Sequence, residues 1–207
     1  MECPNHPIHK TLQEVLSSNS PFINLLITAL EDHGCKVAIK ALRCDWAENI
    51  RAAYMSQSKS IVVCSQAFDN LSRSQSRKQL EYLIAHELVH AFDDCRAHID
   101  FHDNHNHLMC TEIRAASLSG ECMMKNNKLN VFLEKFTGLH KHCIKKSAMR
   151  SFSAMHPSCS KEAVLNVVNQ VFQSCYNDYT PFDRVVLTEK QAKLAYKAYM
   201  TQYRYNM

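Results

Sequence analysis

The sequence predicts an α+β fold in which a small antiparallel N-terminal sheet precedes one long central helix and a helical C-terminal half. Three observations carry that expectation. Short β-prone runs cluster between residues 35 and 64. The stretch "NLSRSQSRKQLEYLIAHELVHAFDDCRA" then places Leu80, Ile84, Leu88, Ala91 and Cys95 at helical spacing. After Lys128, helical periodicity recurs to the end of a 207-residue chain that contains only 3 glycines.

Taken in order, Pro21 through Glu31 reads as a helix with Ser20 as cap and Gly34 as stop. "CKVAIKAL" alternates, with Cys35, Val37, Ile39 and Ala41 on one side, a strand pattern. "IRAAYM" and "SIVVC" are two further strands separated by the polar "SQSK". The serines ahead of the central helix offer caps. Residues 98–110 are polar, His-rich and without period, so a loop is expected. A helix should begin near Thr111 and end near Gly120. Helices are then expected at Leu129–Phe136, Lys141–Ser151, Lys161–Cys175 and Glu189–Tyr203, with "NDYTPFD" breaking the chain before the last.

Composition narrows the function. Hydrophobic residues make up 46%, enough for a globular core. The net charge of +4 suits weak attraction to an anionic surface. No basic run, zinc-finger spacing or RNA-binding motif points to nucleic acid. The longest strongly apolar stretch, Phe22–Leu30, falls well short of the ~20 residues of a membrane span. The N-terminus "MECPNHPIHKTLQE" has neither the apolar core of a secretory signal nor the Arg-rich character of a transit peptide, which by default points to the cytosol. Ten scattered cysteines without a CxxC pair point the other way, to structural disulfides in an oxidising compartment; buried free thiols are the alternative. Cys159 and Cys175, at opposite ends of one expected helix, cannot pair with each other.

The chemistry sits in "HELVH". At ~100° per residue, His86 and His90 fall within ~40° of each other, one turn apart, and can chelate one ion. Glu87 points beside that face, where it can reach a metal-bound water without being a ligand. Zn²⁺ lowers the pKa of such a water to about 7, and the Glu takes its proton as the water attacks a carbonyl. A surface helix with two solvated histidines is the bland alternative. The apolar stripe on another side of the helix favours the metal, and Asp93 returns to the metal face, where it can orient a ligand.

A catalytic zinc needs a third protein ligand and an open position. A His six residues after His90 is excluded, because position 96 is Arg. The candidates are Glu112, Glu121 and Glu134. Glu112 is preferred because it begins the helix after a chain-reversing loop, among small residues that permit close approach. A helix N-terminal Glu favoured by the helix dipole is the alternative. The histidines 98, 102, 105 and 107 could bind a second metal or stay solvated, and His107 could hydrogen-bond a developing oxyanion. Cys95 and Cys110 flank the loop and could staple it. "KH" and "KHC" at 139–143 read as surface polarity.

"HELVHAFDDCRAHIDF", "HLMCTEIRAASLSGEC" and "QSCYNDYTPFDR" together resemble the zinc metallopeptidases of the mitochondrial inner membrane. That family matures a membrane subunit of ATP synthase and assists assembly of its proton-conducting sector. It is also named for binding the Ku DNA-repair protein. The resemblance, over about residues 20–185, implies a zincin-like fold, one Zn²⁺ on His86, His90 and Glu112, and Glu87 as the catalytic residue. It also implies a location in the intermembrane space, peripheral to the inner membrane. The expected layout is an N-terminal segment 1–19, a metallopeptidase domain 20–185 and a C-terminal helix 186–207. The sequence departs from the family around Cys44, where a longer "CxxC…GG" segment is absent, and after Leu187.

The expected activity is zinc-dependent endoproteolysis of a peptide or protein substrate, a hydrophobic ATP synthase subunit by family resemblance. The competing reading is an assembly chaperone for that subunit, with or without proteolysis. Nine methionines and apolar C-terminal helices could give it an adaptable binding face.

Overall fold

A computed structural model describes residues 6–46, 50–123 and 133–202, with the side chains of 133–137 excepted. Cys3, residues 129–132 of an expected helix, the Glu134 side chain and Tyr203 lie outside the described residues. The chain forms two compact units, residues 1–97 and 98–207.

The N-terminal unit begins with a helix that the sequence expectation left unassigned, α1 (Pro7–Leu16). It has no Ser, Thr, Asp or Asn cap. Instead the ring of His6 accepts the Ile8 N–H, and Pro7 supplies a preset φ at the first helical position. Its Ile8, Leu12 and Val15 are buried, and the helix packs on the central helix of the unit. Helix α2 (Pro21–Asp32) ends as expected. Gly34 has φ +73°, and the Cys35 and Gly34 N–H groups return to the Leu30 and Glu31 carbonyls, closing the helix with a left-handed cap. Ser20 occupies the cap position, yet its buried hydroxyl makes no capping bond.

Strands β1 (Ala38–Leu42), β2 (Ala52–Met55) and β3 (Ser60–Cys64) form the sheet in the order β1-β3-β2. It is mixed, which corrects the antiparallel expectation: β1 pairs parallel with β3, and β2 pairs antiparallel with β3. The strand order decides the pairing: β1 and β2 lie on opposite edges, two strand spacings or about 10 Å apart, so the β2–β3 hairpin brings β3 alongside β1 in the same direction. The short turn at 56–59 then returns the chain between the outer strands. Cys44 bonds to Cys64, fastening the chain just after β1 to the end of β3. All five residues of β3 are buried, as suits a central strand.

Helix α3 (Arg73–Arg96) starts with a reciprocal capping box between Ser72 and Gln75. It packs on α1, α2, β2 and β3, and residues 84–93 are buried on every side. Cys35 bonds to Cys95, tying the exit of α2 to the end of α3.

The C-terminal unit comprises α4 (His105–Leu118), α5 (Leu133–Met155), α6 (Lys161–Tyr176) and α7 (Glu189–Thr201). Helix α4 starts six residues earlier than expected. Asn104 Oδ1 accepts the Asn106 and His107 N–H groups, so a polar, His-rich segment becomes a capped first turn. One continuous α5 replaces two expected helices. Helices α4, α5 and α6 enclose a core of Leu108, Ile113, Ile144, Phe152, Val168 and Phe172. Cys110–Cys175 joins α4 to α6, and Cys122–Cys143 joins the segment after α4 to α5. Cys95 and Cys110 therefore do not staple the loop between them. Cys159 is a free thiol. Arg114, 1% exposed, forms an ion pair with Asp178 at 2.7 Å and donates to the Asp178 and Thr180 carbonyls, anchoring the "NDYTPFD" break beside a cis Thr180–Pro181 bond.

His140 corrects the surface reading of residues 139–143. It is 2% exposed, and its Nδ1 lies 3.2 Å from Tyr176 Oη. Burial pushes its pKa down to about 4. The unfolded chain takes up this proton near pH 6.5. Between pH 6.5 and 4 the unfolded state thus binds more protons, and stability falls as pH drops. The total loss is on the order of 3 kcal/mol. His140→Phe is expected to flatten the slope of unfolding free energy across that window; an unchanged slope would remove His140 as its source.

Candidate metal and catalytic site

Burial of α3 on all sides brings its polar residues inside. His86, Glu87 and His90 are 8%, 6% and 6% exposed. The two imidazoles meet edge to face with ring centroids 4.9 Å apart. Such close, buried rings on successive turns suit a shared ion, and a solvated helix face does not fit this burial. Glu112, 1% exposed, lies on α4 in a stretch buried from Thr111 to Gly120.

His86, His90 and Glu112 each offer one ligand atom, and these atoms lie within 4.8 Å of one another. Around a tetrahedral ion with bonds of about 2.0–2.2 Å, ligand atoms stand roughly 3.4 Å apart. Two imidazole nitrogens and one carboxylate oxygen also form a donor set that suits zinc. The residues present therefore fit the expected metal. Among the described residues, the His-rich stretch 98–107 forms no comparable group.

The other residues singled out in the sequence have structural engagements. Glu121 accepts a hydrogen bond from Ser147 Oγ at 2.7 Å, which ties it to α5. Asp93 is buried, with Arg96 Nε donating to its Oδ1 at 3.1 Å. His107 Nδ1 accepts the Asp100 N–H at 3.3 Å and closes the 100–107 turn. Asp100 Oδ1 accepts the His102 and Asp103 N–H groups, and these bonds hold its carboxyl below the usual range. His105 packs edge-on against Phe152 and His156, with ring centroids 5.3 and 4.8 Å away.

Sequence reasoning missed what holds Glu87. Its Oε2 accepts the Tyr54 backbone N–H at 2.8 Å. Strand register explains the geometry. The Cys64 N–H bonds to the Arg51 carbonyl, so Arg51, Ala53 and Met55 are the residues hydrogen-bonded to β3. Tyr54 therefore turns its N–H to the outer edge of β2, toward α3. Its phenol donates to Asp94 Oδ2 at 2.7 Å, and Lys59 Nζ reaches the same oxygen at 2.6 Å. Burial, together with the Asp94 carboxylate, raises the Tyr54 pKa. A signal was available: Asp94 follows Glu87 by seven residues, which returns it to nearly the same side of the helix.

Comparison with known proteins gives a consistent result. A sequence model of the Peptidase M76 family matches residues 8–183. The chain is 34% identical over 203 residues to a Xenopus laevis protein named mitochondrial inner membrane protease ATP23 homolog, covering 97% of this chain and 83% of that protein. It is 33% identical over 205 residues to the Homo sapiens protein of the same name, covering 97% and 79%. It is 35% identical over 174 residues to mitochondrial inner membrane protease atp23 of Schizosaccharomyces pombe, covering 84% and 90%. No solved structure matches significantly. Family match, relatives and buried donor set agree, and the chain belongs to the Peptidase M76 family, whose members are peptidases.

Proposed function

We propose that this protein is a zinc-dependent endopeptidase of zincin-like architecture, with its catalytic apparatus within residues 20–185 and the segment 186–207, which bears α7, appended. The observation that carries this reading is the convergence of His86, His90 and Glu112 ligand atoms within 4.8 Å, beside a buried Glu87. In this reading the three residues hold one Zn²⁺. When bound, that ion supplies Lewis acidity, which activates water and polarises the scissile carbonyl. Glu87 takes the proton from water at Oε1 and passes it to the departing amine. Its Oε2 stays fixed on the Tyr54 N–H. The test is hydrolysis of quenched fluorescent peptides by purified protein. Cleavage should stop with a chelator and return with zinc. Chelator-resistant cleavage, or none with zinc present, contradicts the reading.

The substrate proposed is a hydrophobic subunit of mitochondrial ATP synthase, processed in the intermembrane space. Relatives named as mitochondrial inner membrane proteases support the location. So do four disulfides, which belong to an oxidising compartment. Among the described residues no helix is long and apolar enough to cross a membrane. Helix α5 offers a means of peripheral attachment. It exposes His142, Lys146 and Arg150 in one stripe and also exposes Leu139 and Met155, and residues 138–160 contain no acid. Each base near an anionic surface contributes about 1 kcal/mol. Reversing both charges, Lys146→Glu with Arg150→Glu, should cut binding to anionic vesicles roughly tenfold or more in flotation. Undiminished flotation would place the contact elsewhere.

A further inference from the structure

We propose that Asp94 and Tyr54 are positioning residues for Glu87, acting by drawing the β2–β3 hairpin onto α3. This inference rests on the reading of Glu87 as the general base. Glu87 and Asp94 lie seven residues apart on one side of α3, and both bind the same short piece of β2. The two contacts divide the work. The Tyr54 N–H holds a carboxylate oxygen of Glu87, but a backbone donor on an edge strand is only as well placed as the strand itself. The Tyr54 phenol, through Asp94, fixes the strand to the helix one residue's width from that N–H. Asp94 is 13% exposed, so its bond from the half-buried Tyr54 phenol is partly shielded from water.

Lys59 shows what the arrangement costs. It is a non-glycine residue at φ +47°, a left-handed conformation that costs a side chain roughly 1–2 kcal/mol. Glycine would fill this turn without strain. Lys59 instead sends its ammonium to the oxygen that the Tyr54 phenol also contacts. The hairpin thus has two anchors on one carboxylate, and that carboxylate belongs to the helix bearing Glu87. Lacking these anchors, the β2 edge can move relative to α3, and a displacement of ~1 Å at a reacting group can cost about 100-fold in rate.

The experiment uses Tyr54→Phe and Asp94→Asn in the full chain, assayed on the quenched peptide that the wild type cleaves best. Two readouts are taken. The first is the split between kcat and KM. Both variants should lose roughly tenfold or more in kcat, with KM within about threefold and bound zinc unchanged. The second is hydrogen exchange of the residue 54 amide, which needs no activity. That amide should exchange at least tenfold faster in both variants, while the β3 amides keep their protection. Lys59→Met should follow in the same direction by a smaller factor.

Wild-type kcat with an unchanged residue 54 amide overturns the inference. So does a loss that merely tracks missing zinc or a fall in folded fraction. A raised KM at constant kcat also overturns it, by showing that the β2 edge serves substrate rather than Glu87. Failure of the underlying reading looks different: Glu87→Gln would then remain active, whatever the two positioning variants do.

Discussion

Replacing Glu87 with Gln is expected to lower kcat by about 10²–10⁴-fold, the range a positioned general base supplies, while leaving zinc content and fold intact. The argument is geometric. Gln has the shape of Glu, and its amide oxygen can still accept the Tyr54 N–H that holds Glu87 Oε2 at 2.8 Å. What it cannot do is take a proton from water. The residue is 6% exposed in the middle of α3, so bulk solvent is a poor substitute for its carboxylate. Kinetics on the zinc-loaded variant check this, and wild-type turnover would remove Glu87 from the mechanism. The same variant separates the protease from an assembly chaperone. In cells lacking the native protein, restored ATP synthase assembly without subunit processing would show that the fold serves assembly independently of hydrolysis.

His86→Ala should have a still larger effect, removing metal and activity together. Loss of a hydrogen bond that merely supports a ligand costs roughly 10–100-fold in affinity or rate, and loss of the ligand itself must exceed that. The remaining His90 and Glu112 are 6% and 1% exposed, and few other donors can reach a buried site. Chelator-competition titration of zinc measures the affinity. Stoichiometric, tightly held zinc in this variant would show that His86 is not a ligand.

The sequence made legible what depends on short spacing. The four-residue interval of His86 and His90 needs only a helix, and the long apolar period around it, with Ser72 and Gln75 at its start, made one. Gly34 stopped α2 because it alone tolerates φ +73° cheaply. Expectation went astray where long-range contacts decide. Disulfide partners cannot be read from one sequence, and Cys95 and Cys110 went to Cys35 and Cys175 rather than to each other. The parallel pairing of β1 with β3 follows from the strand order β1-β3-β2, which local pattern does not encode. His140 looked like surface polarity beside Lys141, yet Lys141 and Lys145 lie over the rings of Tyr176 and Phe172 while His140 turns inward. The contact between Tyr54 and Glu87 was unreadable because it is made by the backbone.

The most direct test is the zinc content of folded protein purified without chelators, measured by elemental analysis beside Glu112→Ala. We expect one zinc per chain in the wild type and a strong loss in the variant. A metal-free wild type, or a variant with undiminished zinc, would contradict a site built from His86, His90 and Glu112.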